Sequence, residues 1–547
     1  MEHMALGGYD IFVIMLYMLG IMFMGSYFGK YVRSSGDYFL AGRMLPWWAI
    51  GMSLVVSDIG ALDFIGVSGQ GYQYGIVVAN FDWIGCLPPL ILAAFIFAPY
   101  YWRAGIYTIP EYLGRRYNQW VRLIHAILWG LFLAANLAIM FWATGLMFNE
   151  FIPLNDTFMA GIPHAVLGGL PWHYGPNWQI MLWILFIAVV VGVYTISGGL
   201  SAVVITDVVQ LVIMFVGGLA IIAVGLYQLG GIGPLKETIY ALGPEYQNHF
   251  KLFLPADSPT PYPWTGIIFG LAFVLAPAYW LGNQAIIQRT LGARSEWDAK
   301  AGTLWCGFLH ALIPILITVP GLIGLALYHG EVTNSDMAFP HMINKLLPAG
   351  MTGLVFAAFM AGLMSSVDSA LNSAATIWTK DIWQSYFSKD ASDRQLLIMG
   401  RILTFVFIIM AVLVAPIVKE FDSIYQAIQN FLTFIQGPSL ALLLLGMLWK
   451  RTTGWGGLAG ILSGLAFSIG MFFIHRHLLD TTGSGLFTQT DPFLFIAWWS
   501  FVGSVAVTVI VSLLTPPHSP EKLKGLVYSP SLDSPEAQAA LERRAGK

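Results

Sequence analysis

Charge and cysteine are both scarce in this 547-residue chain. Asp, Glu, Lys and Arg together make 10% of it, against about 25% in soluble domains. So few charges cannot cover the water-facing surface of a chain that is 57% hydrophobic, which excludes a soluble enzyme and a disordered scaffold. The net charge is −3, which excludes a nucleic-acid binder. The two cysteines, Cys86 and Cys306, fall inside apolar runs and imply neither a disulfide framework nor a cysteine metal site. Met1-Glu2-His3 carries no Lys or Arg, and no small-residue cleavage site follows the first apolar run. That run is therefore expected to be a membrane span rather than a signal peptide.

What the chain has is apolar length, with a mean hydropathy of +0.70. A helix needs about 20 apolar residues to cross a bilayer core. That ruler predicts an all-α integral membrane protein of about thirteen transmembrane helices, near 9–30, 46–74, 77–101, 120–148, 178–197, 203–228, 264–288, 302–328, 350–379, 398–418, 424–448, 454–474 and 491–514. Basic residues orient them. With the N-terminus outside and the C-terminus cytoplasmic, 21 of the 26 Lys and Arg fall inside; only Lys236, Lys251, Lys345, Lys419 and Arg476 fall outside. The expected location is the cell (inner) membrane. Residues 516–547, polar and proline-bearing, read as a flexible cytoplasmic tail with no soluble domain appended.

Two spans do not read as plain helices. The second holds Asp58 and Asp63 with Gly66, Gly69 and Gly71; the seventh holds Pro277 and Gly282. Proline frees a carbonyl and glycine lowers the cost of unwinding; free carbonyls at membrane depth belong where they line a cavity or bind an ion. The two spans lie five apart. This predicts an inverted-repeat (5+5) transporter core with an interrupted first helix in each repeat. The expected divisions are 1–45 (extra helix and cytoplasmic loop), 46–228 (first repeat), 264–448 (second repeat), 449–515 (two added helices) and the tail.

Ionisable groups at depth are Asp58, Asp63, Asp82, Asp207, His310 and Asp368, while Arg289 is expected to snorkel from an inner end. Acids and backbone oxygens suit a small hard cation. In the ninth span Ser365, Ser366, Asp368, Ser369, Asn372 and Ser373 recur every three or four residues, making one polar stripe on a helix. Small residues also serve helix packing, but packing does not call for Asp368. Asp207 reads equally as an ion ligand or a structural carboxylate, and His310 as a packing residue or a solute contact.

Several stretches carry a family likeness: Gly66-Val-Ser-Gly-Gln-Gly71, Gly105-Ile-Tyr-Thr-Ile-Pro-Glu-Tyr112, Gly198-Gly-Leu-Ser-Ala-Val-Val204 with Thr206-Asp207, Asn283-Gln-Ala-Ile-Ile-Gln-Arg-Thr290, Ser365-Ser366 with Leu371-Asn-Ser373, and Trp449-Lys-Arg-Thr-Thr453. In that order, over roughly residues 10–475, the chain resembles the sodium/solute symporter family and its bacterial sodium/galactose branch. The resemblance implies a main Na+ site made of the carbonyls of Val56, Ile59 and Gly362 and the hydroxyls of Ser365 and Ser366. It implies a second Na+ site at Asp207, Ser366, Asp368 and Ser369. For the solute it implies Asp63, Asp82, His310 and Gln429, with Tyr279 as inner-gate tyrosine beside Trp280.

The solute positions depart from the sugar transporter. Asp63 replaces an amide, Ala276 loses one, His310 replaces a lysine and Asp82 is a shortened acid; Gln429 matches. Carboxylates and rings suit a polyol or, equally, a cationic amine. The expected function is a sodium-coupled symporter importing a small polar solute, most of all a sugar or polyol, by alternating access. The partners are solute, Na+ and the lipid bilayer, with no nucleic acid. Alternatives are proton coupling, or carriage of an amine, amino acid or other organic solute. A membrane enzyme using Asp63 and His310 lacks a nucleophile or metal motif, and a sensor lacks a signalling domain.

Overall fold

The computed structural model describes residues 7–60, 63–152, 178–348, 350–420, 424–475 and 493–529. Arg476, the first two residues of the thirteenth predicted span and the predicted tail from 530 onward lie outside them. Among the described residues the chain is helical, with no strand beyond two isolated bridges, Leu45 with Ala293 and Leu254 with Pro263.

A helix stands at each of the thirteen predicted places. Among the described residues, ten helices are long and apolar enough to cross a membrane. Counting Gly266–Gly282 and Gln284–Leu291, bent by 50°, as one span makes eleven. The two places short of that measure are Trp47–Asp58, the first half of an interrupted span, and the short apolar helix Trp178–Val193. Among the described residues, ten or eleven helices therefore meet the measure for a full span, and the two shortfalls are shorter helices at predicted places.

The serine-bearing helix Met351–Ile377 is the centre of the bundle: all its residues but Met351 and Leu354 are buried, whereas most residues of Gly8–Gly29 at the periphery are not. Its Ala and Ser residues let neighbours approach; an added Cβ on Gly217 would fall 2.4 Å from Ala358 Cβ. Its N-terminus is capped by the peripheral helix, for buried Asp10 Oδ1 accepts the amides of Gly350 and Gly353, each at 2.7 Å. Removing this acceptor orphans buried donors, at about 1–3 kcal/mol each. Asp10→Ala is therefore expected to lower the thermal midpoint of the purified protein while Asp10→Asn, which keeps an acceptor oxygen, loses less.

The first expected break is present. Trp47–Asp58 ends where Ile59 turns extended (φ −88, ψ 99), and the chain resumes as a wide turn at Asp63–Val67 before Ser68–Tyr74. The second lies one residue past its predicted place. Pro277 sits inside the continuous helix Gly266–Gly282, just after its wide turns Gly266–Leu275; its missing N–H leaves a carbonyl of the preceding turn without that partner, yet the helix runs on past it. The interruption is Asn283 (φ −72, ψ 120), whose side chain accepts the Ala285 amide at 3.0 Å and starts Gln284–Leu291. Beyond it, Leu45 pairs with Gly292 and Arg294, tying the entry of the first broken span to the exit of the second.

Two of the quoted stretches have local causes. Trp178–Leu229 turns at Gly199 (φ 52), where a Cβ would lie 2.5 Å from Tyr38 O. Arg116, fully buried, caps Ile424–Leu448 by donating to Gly446 O, Trp449 O and Thr452 O at 2.7–3.0 Å.

Candidate functional site

The first break leaves its carbonyls free because its amides go elsewhere. The Gly60 N–H, which in a continued helix would bond Val56 O, donates to Asp63 Oδ2 at 2.8 Å. Opposite lies the serine helix. A Cβ on Gly362 would fall 2.7 Å from Ile59 O, and a Cβ on Gly60 would fall 2.7 Å from Ser366 Oγ. Only glycine at both positions lets the two backbones meet this closely. Ser366 Oγ donates to Gly362 O at 3.0 Å, and Ser365 Oγ lies 3.3 Å from Ser57 Oγ. The Ile59 and Gly362 carbonyls and the Ser366 hydroxyl thus meet across one helix contact, while the Ser365 hydroxyl faces Ser57 and Asp207 beside it. A set of neutral oxygens of this kind fits a small hard cation.

Behind this contact is a buried ion pair. Asp207 and Arg289 are both fully buried, with Arg289 Nη2 3.2 Å from Asp207 Oδ2. Asp207 also accepts from Ser365 (2.6 Å), Ser57 (3.3 Å) and Ser53. Arg289 donates further to Ser53 (2.6 Å), Ser369 and Ala285 O. The expected snorkelling of Arg289 is thereby corrected: its guanidinium turns inward because Asp207, two hydroxyls and a carbonyl receive it there. Of the four residues of the implied second ion site, Asp207 and Ser369 meet through this guanidinium, and Asp368 Oδ1 lies 3.3 Å from Ser369 Oγ. Ser366 faces the other way, toward Gly60 and Gly362 O.

Beside the break opens a cavity of about 160 Å³. Ile59 and Ser366 line it, and so do Asp63, Asp82, Tyr279 and Gln429. Trp280 stands against Tyr279, ring centroids 5.7 Å apart and nearly perpendicular. His310 is not in the lining. It is fully buried behind it, Nε2 3.1 Å from Asp58 Oδ2 and Nδ1 3.4 Å from Asp82 Oδ1, under the edge-on Trp280 ring. Asn283, Asn136 and Gln436 complete the polar margin, and Ala276 adds an apolar methyl.

Sequence reasoning counted Asp58 among the acids at depth without a specific ligand role, gave Ser53, Ser57 and Asn283 no site role, and put Arg289 in the wrong place. A signal was present for the serines: Ser53 and Ser57 are four residues apart, on the same helix face, leading up to an expected break. For Arg289 there was none, since its partner lies 82 positions away.

Interrupted helices pressed against a central serine helix, with a cavity at the break, define an inverted-repeat secondary transporter. The sequence matches the description "Sodium:solute symporter family" over residues 38–162 and 173–464. It is 33% identical to a sodium/glucose cotransporter of Vibrio parahaemolyticus over 86% of each chain. It is 30% identical to the human sodium/myo-inositol cotransporter, covering 95% of this chain and 75% of that one. The fold matches that of a Na+-coupled sialic acid symporter, solved substrate-bound and outward-open, with a TM-score of 0.76 at 22% identity over 94% of this chain and 99% of that one. The chain belongs to the sodium:solute symporter family: it is a multi-pass membrane transporter, not an enzyme, with sodium as the coupling ion.

Proposed function

We propose that this symporter imports a small polar solute, a sugar or polyol, together with one sodium ion by alternating access. The observation that carries the reading is shared lining: Ile59 and Ser366 border both the cation-fitting contact and the cavity. An ion bridging the break to the serine helix fixes one wall of the solute cavity. Each ligand then raises the affinity for the other by the same factor. Na+ is held by Val56, Ile59 and Gly362 carbonyls and the Ser365 and Ser366 hydroxyls. Arg289 already supplies a cation beside Asp207 and Ser369, so a second sodium among Asp207, Ser366, Asp368 and Ser369 is not part of the proposal. Asp63, Asp82 and Gln429 bond solute hydroxyls, Tyr279 covers the apolar ring face, and His310 acts through Asp82. Residues 46–228 and 264–448 form the two repeats among thirteen spans, with the N-terminus outside the inner membrane and the C-terminus in the cytoplasm. The membrane potential then adds about 2.3 kcal/mol per charge per 100 mV to accumulation.

The test is a thermal-shift screen of sugars, polyols, amino acids and amines, each with sodium or with choline. A sugar or polyol that stabilises only with sodium supports the reading; a sodium-independent hit, or a hit confined to amino acids or amines, rejects it. With that solute in hand, Asp82→Asn and Gln429→Ala are expected to weaken solute binding at least tenfold and sodium binding by less than twofold. Equal loss of both would remove these residues from the solute site.

A further inference from the structure

The cavity wall contains a set of side chains that neither sodium nor a polyol calls for. Asp58, Cys86 and His310 each offer one ligand atom, and all three atoms lie within 4.8 Å of one another. They come from three different helices, Trp47–Asp58, Asn80–Leu92 and Glu296–His310, so spacing along the chain gives no hint of the set. His310 is fully buried, and neither ring nitrogen makes an aligned hydrogen bond, although carboxylate oxygens stand 3.1 and 3.4 Å away. A buried imidazole close to two carboxylates and bonded well to neither has donor capacity left over.

We propose that Asp58, Cys86 and His310 form a site for a borderline divalent transition metal, zinc above all. Nitrogen, thiolate sulfur and carboxylate oxygen are the ligand types zinc takes, and three protein ligands leave its fourth position open. Bond lengths of about 2.0–2.3 Å put tetrahedral ligand atoms roughly 3.3–3.8 Å apart. The 3.1 Å between His310 Nε2 and Asp58 Oδ2 is near that separation, and the widest pair needs to close by about 1 Å. Nδ1, on the far side of the ring, faces Asp82 at 3.4 Å. A carboxylate there holds the proton on Nδ1 and leaves the Nε2 lone pair for the metal. Cys86 enters as thiolate, its proton leaving to water in the cavity. Asp58 and Cys86 both border the cavity, which gives the ion its way in and the open position a direction. A metal here ties three helices together and puts a dication where the solute would lie, so it acts as a blocker of transport. The site does not depend on the solute being a sugar.

The test uses the purified full chain and the metal alone. Co2+ is titrated in and the thiolate-to-cobalt absorption recorded, then Zn2+ is added to displace it, with Mg2+ as control. The wild type and Cys306→Ser, which alters the other buried cysteine, are expected to give the band and lose it to Zn2+. Cys86→Ser is expected to give none and to bind Zn2+ at least tenfold more weakly. No band in the wild type, or a band that survives in Cys86→Ser, overturns the proposal. The sodium-dependent solute shift of the screen above is measured separately, so failure of one reading is distinct from failure of the other.

Discussion

Arg289→Met is expected to unfold far more readily than the wild type, and Asp207→Asn added to it is expected to restore much of the loss. The reason is the pair's surroundings. Both groups are fully buried, and the guanidinium donates to Asp207, Ser53, Ser369 and Ala285 O. Removing one member of such a pair leaves an uncompensated charge, at about 3–5 kcal/mol, whereas removing both can come close to neutral. The measurement is the thermal midpoint of the two single variants and the double. The double variant should melt well above the value expected from adding the single losses. Additive losses would mean that the ion pair is incidental. The same set bears on coupling. If Arg289 takes the place of a second cation, Asp207→Asn leaves the steepness of the sodium response unchanged in whatever folded protein remains. A fall in the Hill coefficient would put a second sodium at Asp207 after all.

The fold was readable because its signals are local. Apolar runs of about 20 residues and two interrupted spans five apart are each visible within a window of the sequence. The serine stripe was readable for the same reason, since a period of three to four residues marks one face of one helix. The errors have the opposite character. Pro277 and Gly282 point to a break in this span, but the helix runs on through Pro277, and the interruption comes just past Gly282, at Asn283, whose side chain caps the next segment. Arg289 looked like a snorkelling residue because it stands near a span end; only the packing of three helices shows that Asp207, Ser53 and Ser369 surround it. His310 was given to the solute by position in the sequence. The structure sets it one layer back, between Asp58 and Asp82, so that a ring expected to touch the ligand stands behind the acids instead. Contacts between residues hundreds of positions apart leave no periodic trace in a single sequence.

Replacing the paired hydroxyls has the largest expected effect on transport. In proteoliposomes carrying Ser365→Ala with Ser366→Ala, sodium-driven uptake of the screened solute is expected to fall to background. Each lost polar contact to a charge costs about 1.5–3 kcal/mol, so two weaken sodium binding by roughly 10²–10⁴-fold. The two serines are not equivalent, and the structure says how they differ. Ser365 also donates to Asp207 at 2.6 Å, so Ser365→Ala disturbs the ion pair and should lower the thermal midpoint as well. Ser366 faces Gly60 and, among the described residues, bonds within its own helix, so Ser366→Ala should impair sodium dependence with little change in stability. Ser373→Ala, farther along the same helix, removes a bond to Gln288 and not an ion ligand; it should keep its sodium response. Gly362→Ala reaches the site without touching a hydroxyl, because its Cβ would stand 2.7 Å from Ile59 O and force the break away from the serine helix. If sodium sits where these oxygens converge, Gly362→Ala must lose sodium dependence along with Ser366→Ala; full sodium-driven uptake by either would place the ion elsewhere.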